Sequence, residues 1–196
     1  GNLISATDRN GDTTQYKYDK NNRLTRVTDA LGGVTSYTYD ALGQVTKTVS
    51  PAGNETAAVY DNMGRTTSSV NARGFATRYE YDILGRVTTM TNPDETTVSY
   101  TYDANGQILT ATNELGDVTS YTYDANGNQA SVTDAEGNTT SYTYDKLDRL
   151  TQVKNGRGYV TKYTYDAEGR QTSDTNGEGK TQAMTYDALG RMTALK

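Results

Sequence analysis

The sequence predicts an all-β chain: 21-residue repeats forming a continuous antiparallel β-hairpin meander, curled into a spiral or part of a hollow shell. The first observation is repetition. A unit ending in Tyr-Asp runs through the chain in nine consecutive 21-residue copies, residues 1–189, followed by a partial tenth unit, 190–196, with no insertion or deletion. The second is turn chemistry: two segments in each unit open on Asp, Asn or Ser and, with one exception, close on a residue that tolerates positive φ. The third is composition. With 33% hydrophobic residues, 17 Tyr, 19 Gly and only two Pro, the chain lacks the aliphatic mass for a thick core of helices or sandwiched sheets. Alternation of side-chain types inside each unit argues against disorder.

An unbroken period offers no boundary or linker, so residues 1–196 read as one array. The first residue shares its unit position with Gly43 and Gly64 and the chain stops inside a unit, so it is expected to be a fragment of something longer.

Residues 22–42 illustrate one unit. Its first turn is Asp29-Ala30-Leu31-Gly32, and the second is Asp40-Ala41-Leu42-Gly43. Each pairs an Asx residue, able to accept hydrogen bonds from the chain ahead, with a glycine able to sit at positive φ. That is the grammar of a type I turn closed by a glycine bulge. The second turns open on Asp19, Asp40, Asp61, Asp82, Asp103, Asp124, Asp145, Asp166 and Asp187. Their closing glycines are Gly43, Gly64, Gly85, Gly106, Gly127, Gly169 and Gly190. Asn22 and Asp148, which also tolerate the left-handed conformation, stand in for the other two. The first turns close on Gly11, Gly32, Gly53, Gly74, Gly116, Gly137, Gly158 and Gly179. Pro51 and Pro93 each follow a first-turn opening residue, where φ near −65° is wanted. Glu95 alone breaches the rule, and strain or a different turn is expected there.

Two turns per unit leave two strands of about seven residues, each roughly 23 Å long at ~3.3 Å per residue. The turns fix the register, setting Tyr39 opposite Val45 and Val27 opposite Thr35 on one face. Leu24 and Val27, three residues apart, share that face only if a β-bulge falls near Thr25 and Arg26, and a bulge in every unit would curl the sheet in one sense. The face carries a structural tyrosine ladder: Tyr16, Tyr18, Tyr37, Tyr39, Tyr60, Tyr79, Tyr81, Tyr100, Tyr102, Tyr121, Tyr123, Tyr142, Tyr144, Tyr163, Tyr165 and Tyr186. Tyrosine is expected to carry much of the packing, helped by Leu24, Val45, Val87, Ile108, Leu150 and whatever covers that face. The other face, with Ser36, Thr38, Glu80, Ser120, Thr122 and Lys162, is expected to meet water. Six second-turn aspartates stand across from an arginine, as Asp19 does from Arg23, and such pairs are expected to be exposed and to tune the turn. The ninth unit, with Gln171, Asp174, Gln182 and Met184 on the tyrosine face, is expected to be the softest.

Several functions are excluded. Without His or Cys there is no Ser-His-Asp triad, Cys-His pair or zinc held by its usual ligands. The recurrent aspartates are accounted for as turn residues, which leaves no carboxylate pair for glycoside hydrolysis. Asp8–Asp12 and Asp124–Asn128 lack the oxygen series and closing Glu of a calcium loop. Nineteen basic residues against 24 acidic ones, scattered along the chain, give no nucleic-acid footprint, and no 18-residue apolar run spans a membrane. The reading is a non-enzyme with no catalytic residues, no cofactor and no metal. Repeated tyrosines also suit stacking on sugars, which keeps a glycan-binding face as the competing reading.

The unit Gly-Arg-Val-Thr…Asp-x-x-Gly…Thr-x-Tyr-x-Tyr-Asp-x-x-Gly-Arg resembles the YD repeat, also called the Rhs repeat, over essentially the whole chain. The resemblance to Rhs toxins, insecticidal toxin complexes and teneurins implies a β-sheet spiral closing into a hollow shell, which in bacterial members encloses a toxic carboxy-terminal domain. It implies a secreted or cell-surface location. Expected partners are further repeats of this or another chain through edge strands, and an encapsulated polypeptide. The alternative is an adhesive cell-surface module binding glycan or protein, or self-assembly through the edges. The Asp-Pro core terminus and variable toxin of the bacterial members are not in this sequence. About 19 strands at ~4.8 Å make a sheet roughly 90 Å wide, or a ring about 29 Å across, so enclosing cargo takes more repeats or more chains.

Overall fold

The computed structural model describes Gly1–Lys196 as 19 antiparallel strands without a helix, in a meander that falls into two compact units, Gly1–Val98 and Ser99–Lys196. The first unit holds β1 (Ser5–Thr7), β2 (Thr13–Tyr18), β3 (Leu24–Thr28), β4 (Val34–Tyr39), β5 (Val45–Val49), β6 (Glu55–Tyr60), β7 (Thr66–Val70), β8 (Ala76–Tyr81) and β9 (Val87–Thr91). β10 (Thr97–Tyr102) begins at the division. The second unit continues with β11 (Ile108–Thr112), β12 (Val118–Tyr123), β13 (Gln129–Thr133), β14 (Thr139–Tyr144), β15 (Leu150–Lys154), β16 (Val160–Tyr165), β17 (Gln171–Thr175), β18 (Thr181–Tyr186) and β19 (Met192–Leu195). Within each unit every strand pairs with the one before and the one after it in sequence. From β2 to β18 six-residue and five-residue strands alternate, shorter than the seven expected, because the residue after each turn-closing position, such as Arg23 or Gly33, also lies outside the strands.

Turn chemistry sets the hairpins. At Asp19 the main-chain N–H donates to the Arg23 carbonyl at 2.9 Å, the Asn22 N–H donates back to the Asp19 carbonyl at 3.1 Å, and Asn22 lies at φ 61°. The carboxylate then accepts the N–H groups of Asn21 (2.8 Å) and Arg23 (3.0 Å), so one side chain satisfies both donors of the loop. Glu95 is the informative exception. It keeps the ordinary turn, with Glu95 N–H to the Asn92 carbonyl at 3.0 Å, while sitting at φ 65°. Of the two outcomes expected there, the chain accepts a left-handed residue in an unchanged turn.

The register places Tyr39 opposite Val45 and Val27 opposite Thr35. In the β2–β3 pair, Lys17 faces Arg26 and Tyr18 faces Leu24, so Thr25 is the extra residue of a bulge, and the same shift recurs in β12–β13 and β16–β17. Leu24 and Val27 thereby reach the same face.

The tyrosine face, expected to need a cover, is not closed over within either unit. No hydrophobic or polar residue is fully buried, and the ladder tyrosines are half-buried. A sheet one layer thick can cover a ring only with its neighbours on the same face.

Candidate functional site

The most regular side-chain contacts lie along the seam between successive hairpins. Main-chain pairing between β3 and β4 runs from Thr28–Val34 to Arg26–Ser36 and stops, although both strands continue toward the second-turn edge. Carbonyls past that point need other donors. The Tyr39 phenol supplies one, donating to the Leu24 carbonyl at 2.5 Å, just before the bulge. The same bond, always fifteen residues back, joins Tyr18 to Leu3, Tyr60 to Val45, Tyr81 to Thr66, Tyr123 to Ile108, Tyr144 to Gln129, Tyr165 to Leu150 and Tyr186 to Gln171.

Arg23 closes the seam beside it. Its Nε donates to Asp19 Oδ2 at 2.7 Å, its Nη1 donates to the carbonyl of Asp40 in the next unit at 2.9 Å, and its guanidinium lies 4.8 Å from the Tyr39 ring centre. One planar group thus binds its own turn, the next turn and the intervening ring. Arg65 does so with Asp61, Asp82 and Tyr81, and Arg149 does so with Asp145, Asp166 and Tyr165. The expectation that these pairs are exposed and merely adjust the turn is corrected for all but Asp187–Arg191, whose arginine is 75% exposed. Asp19 and Arg23 keep only 24% and 26% of their side-chain surface exposed, and the pair links units. The sequence places each arginine beside its own aspartate but does not reveal the reach across the seam. Only the recurrence of Arg four residues after the Asp hinted at it.

Where Arg is absent, an amide takes over. Gln44 Nε2 donates to the Gly64 carbonyl at 3.0 Å, and Gln107 Nε2 to that of Gly127 at 2.8 Å. The amide is the poorer fit: Gln44 Oε1 is enclosed without a hydrogen bond, whereas a guanidinium carries donors only.

These contacts shape the local electrostatics. The Arg65 main-chain N–H, followed by its guanidinium, holds the Asp61 carboxyl below its usual range against partial desolvation. The Arg149 guanidinium does the same first of all for Asp145. Partial desolvation pushes the Tyr144 phenol up, with the charge of Asp124 acting in the same direction.

The first tyrosine of each Tyr-x-Tyr pair packs without a seam bond. Tyr37 faces Thr48, Tyr79 faces Met90, Tyr121 faces Val132, Tyr142 faces Val153 and Tyr163 faces Asp174, while Tyr16 and Tyr100 face Val27 and Ala111. Along the opposite edge two residues that follow a first turn, Asn138 and Tyr159, lie against the next turn, at Gly156 and Gly177. A Cβ on Gly177 would come within 2.8 Å of the Tyr159 Cβ, so the glycine makes room for that ring. In both turn sets the Asx carboxylates or amides are committed to main-chain N–H groups, as Asp40 is to Leu42 and Gln44, and Asn155 to Arg157 and Tyr159. No group of three or more acidic residues capable of holding a metal ion is present.

Fold and seam define a structural hairpin-repeat array. The chain belongs to the Teneurin YD-shell family, whose model matches residues 69–196, and the RHS Repeat model matches residues 1–33 and 18–55. This family is a structural repeat shell. Among solved structures, the chain is similar to TcdB2-TccC3 without its hypervariable C-terminal region, with 18% identity and a TM-score of 0.45 over 98% of this chain and 13% of that one. It is also similar to a Photorhabdus luminescens Tc holotoxin pore, with 16% identity and a TM-score of 0.45 over 98% of this chain and 14% of that one. A porin-like protein from Bacteroides uniformis shares 12% identity at a TM-score of 0.30, over 97% of this chain and 92% of that one. The chain thus spans a small part of the toxin-complex proteins. No curated protein matches it.

Proposed function

We propose that the chain is a non-catalytic wall segment of a β-sheet shell, its tyrosine face turned to the inside and its Ser, Thr and charged face to water. The observation that carries this reading is the absence of any fully buried residue in a chain whose ladder tyrosines share one face. Such a face needs a cover, and a curled continuation of the same sheet around an enclosed polypeptide supplies one. The 21-residue phase runs unbroken through residues 98 and 99, which supports a single array across both compact units. A secreted or cell-surface location belongs to the same reading, as does enclosure of a toxic domain.

The chain contains no cysteine, so a single introduced thiol is a unique reporter. Thr48, opposite Tyr37, marks the tyrosine face, and Thr38, between Tyr37 and Tyr39, marks the other. In the intact protein, Thr38→Cys should react with a bulky maleimide while Thr48→Cys reacts only with a small one. Equal reaction of both with the bulky reagent defeats the shell reading and favours an open adhesive sheet.

A further inference from the structure

Five Asn-Gly steps occur in the chain, beginning at Asn10, Asn105, Asn126, Asn155 and Asn176. At such a step the glycine nitrogen, with no Cβ to hinder it, can approach the asparagine carboxamide. The five carboxamides are held very differently. Asn155 Oδ1 accepts from the N–H groups of Arg157 (3.1 Å) and Tyr159 (3.0 Å), and Asn176 Oδ1 accepts from those of Glu178 (3.1 Å) and Lys180 (2.9 Å). Asn126 Nδ2 donates to Asp148 Oδ1 at 2.8 Å. Asn10 and Asn105 are tied only through their main-chain N–H groups, to Asp8 Oδ1 at 2.8 Å and Asp103 Oδ1 at 2.9 Å, and their side chains stand exposed. The nitrogens that would attack, of Gly11 and Gly106, sit in turn-closing bonds of 3.2 Å, at the long end of the chain's turns.

We propose that Asn10 and Asn105 are spontaneous deamidation sites, where the chain converts two of its own turns. The glycine nitrogen forms a bond to the asparagine Cγ, the Cγ–Nδ2 bond breaks, and ammonia leaves with the proton from the main-chain nitrogen. Water then adds to one of the two carbonyls of the succinimide, opening it to aspartate or isoaspartate. At position 105 aspartate places a second negative charge beside Asp103. Isoaspartate lengthens the main chain by one carbon just before Gly106, so the three-residue loop no longer sets the β10–β11 register.

Incubation of the folded protein at mildly alkaline pH, followed by peptide mapping for the amide-to-acid mass gain, tests this. Asn10 and Asn105 should convert about tenfold faster than Asn155 and Asn176, a barrier difference of ~1.4 kcal/mol, and the difference should vanish in urea. Asp148 lies at φ 58°, where most second turns have glycine, so Asp148→Gly keeps the turn while releasing Asn126. That variant should bring Asn126 up to the rate of Asn105. Equal rates at all five steps in the folded protein would overturn the proposal. So would unmodified Asn10 and Asn105 in a folded sample whose unfolded control converts, or an unchanged Asn126 in Asp148→Gly.

Discussion

The phenol of Tyr165 donates to the main-chain carbonyl of Leu150 at 2.7 Å, across a pair of strands whose own ladder has already ended. Main-chain pairing of β15 with β16 stops at Gln152–Lys162, two residues short of Leu150. The tyrosine of the Tyr-Asp pair therefore completes a sheet that its backbone leaves open, and the aspartate beside it closes the turn that presents the ring.

The arginine staple should resist replacement by lysine. Arg149 reaches Asp145, Asp166 and the Tyr165 ring at once, a set that an ammonium cannot reproduce. Both Arg149→Lys and Arg149→Ala should lose about 1–2 kcal/mol in urea denaturation. Arg73→Ala, at an exposed turn position, should stay within ~0.5 kcal/mol of the parent.

Acid should weaken the seam progressively. Asp61, Asp82, Asp145 and Asp187 all titrate below the ordinary carboxylate value in the folded chain. A lowered folded pKa means the stabilisation is fully present above the unfolded value, about 4, and is lost as pH falls through the folded values. The denaturation midpoint should therefore be flat from neutrality down toward that value and fall below it. At the alkaline end, Tyr123 and Tyr144 are raised, so their contribution is complete below about pH 10 and is lost as pH climbs through the folded values. Denaturation midpoints across the pH range check both limbs.

Glu95→Gly should stabilise the first unit by about 0.5–1 kcal/mol, because it relieves a left-handed residue in a turn that glycine fits without strain. The ion pair lost with it, Arg78 to Glu95 at 3.0 Å, joins side chains 55% and 68% exposed and offsets little of that gain. The converse change, Gly158→Ala at φ 85°, should cost ~1 kcal/mol or more. Thermal or urea unfolding of the two variants gives both signs.

Much of the fold was legible because its turns are built from local chemistry. Asp-x-x-Gly fixes a loop length, loop length fixes register, and register forces the bulge at Thr25 that carries Leu24 onto the face of Val27. The strands are shorter than turn spacing alone suggests, because the residue after each turn-closing position, such as Arg23 or Gly33, also lies outside them. The seam was not legible. Whether Tyr39 or Tyr37 finds a carbonyl depends on where two strands stop pairing, and the reach of Arg23 to Asp40 depends on how close the next turn lies. Alternation treats both tyrosines alike and places Arg23 only beside its own turn.

The two tyrosines of one strand give the most direct test of the seam. Tyr165 bonds Leu150, whereas the hydroxyl of Tyr163 makes no comparable bond on the same face. Urea denaturation of Tyr165→Phe should show a loss of about 1 kcal/mol, the net value of one hydrogen bond, while Tyr163→Phe stays close to the parent. Equal effects of the two substitutions, or a silent Tyr165→Phe, would show that the ring's bulk rather than its hydroxyl joins the repeats and would contradict the account.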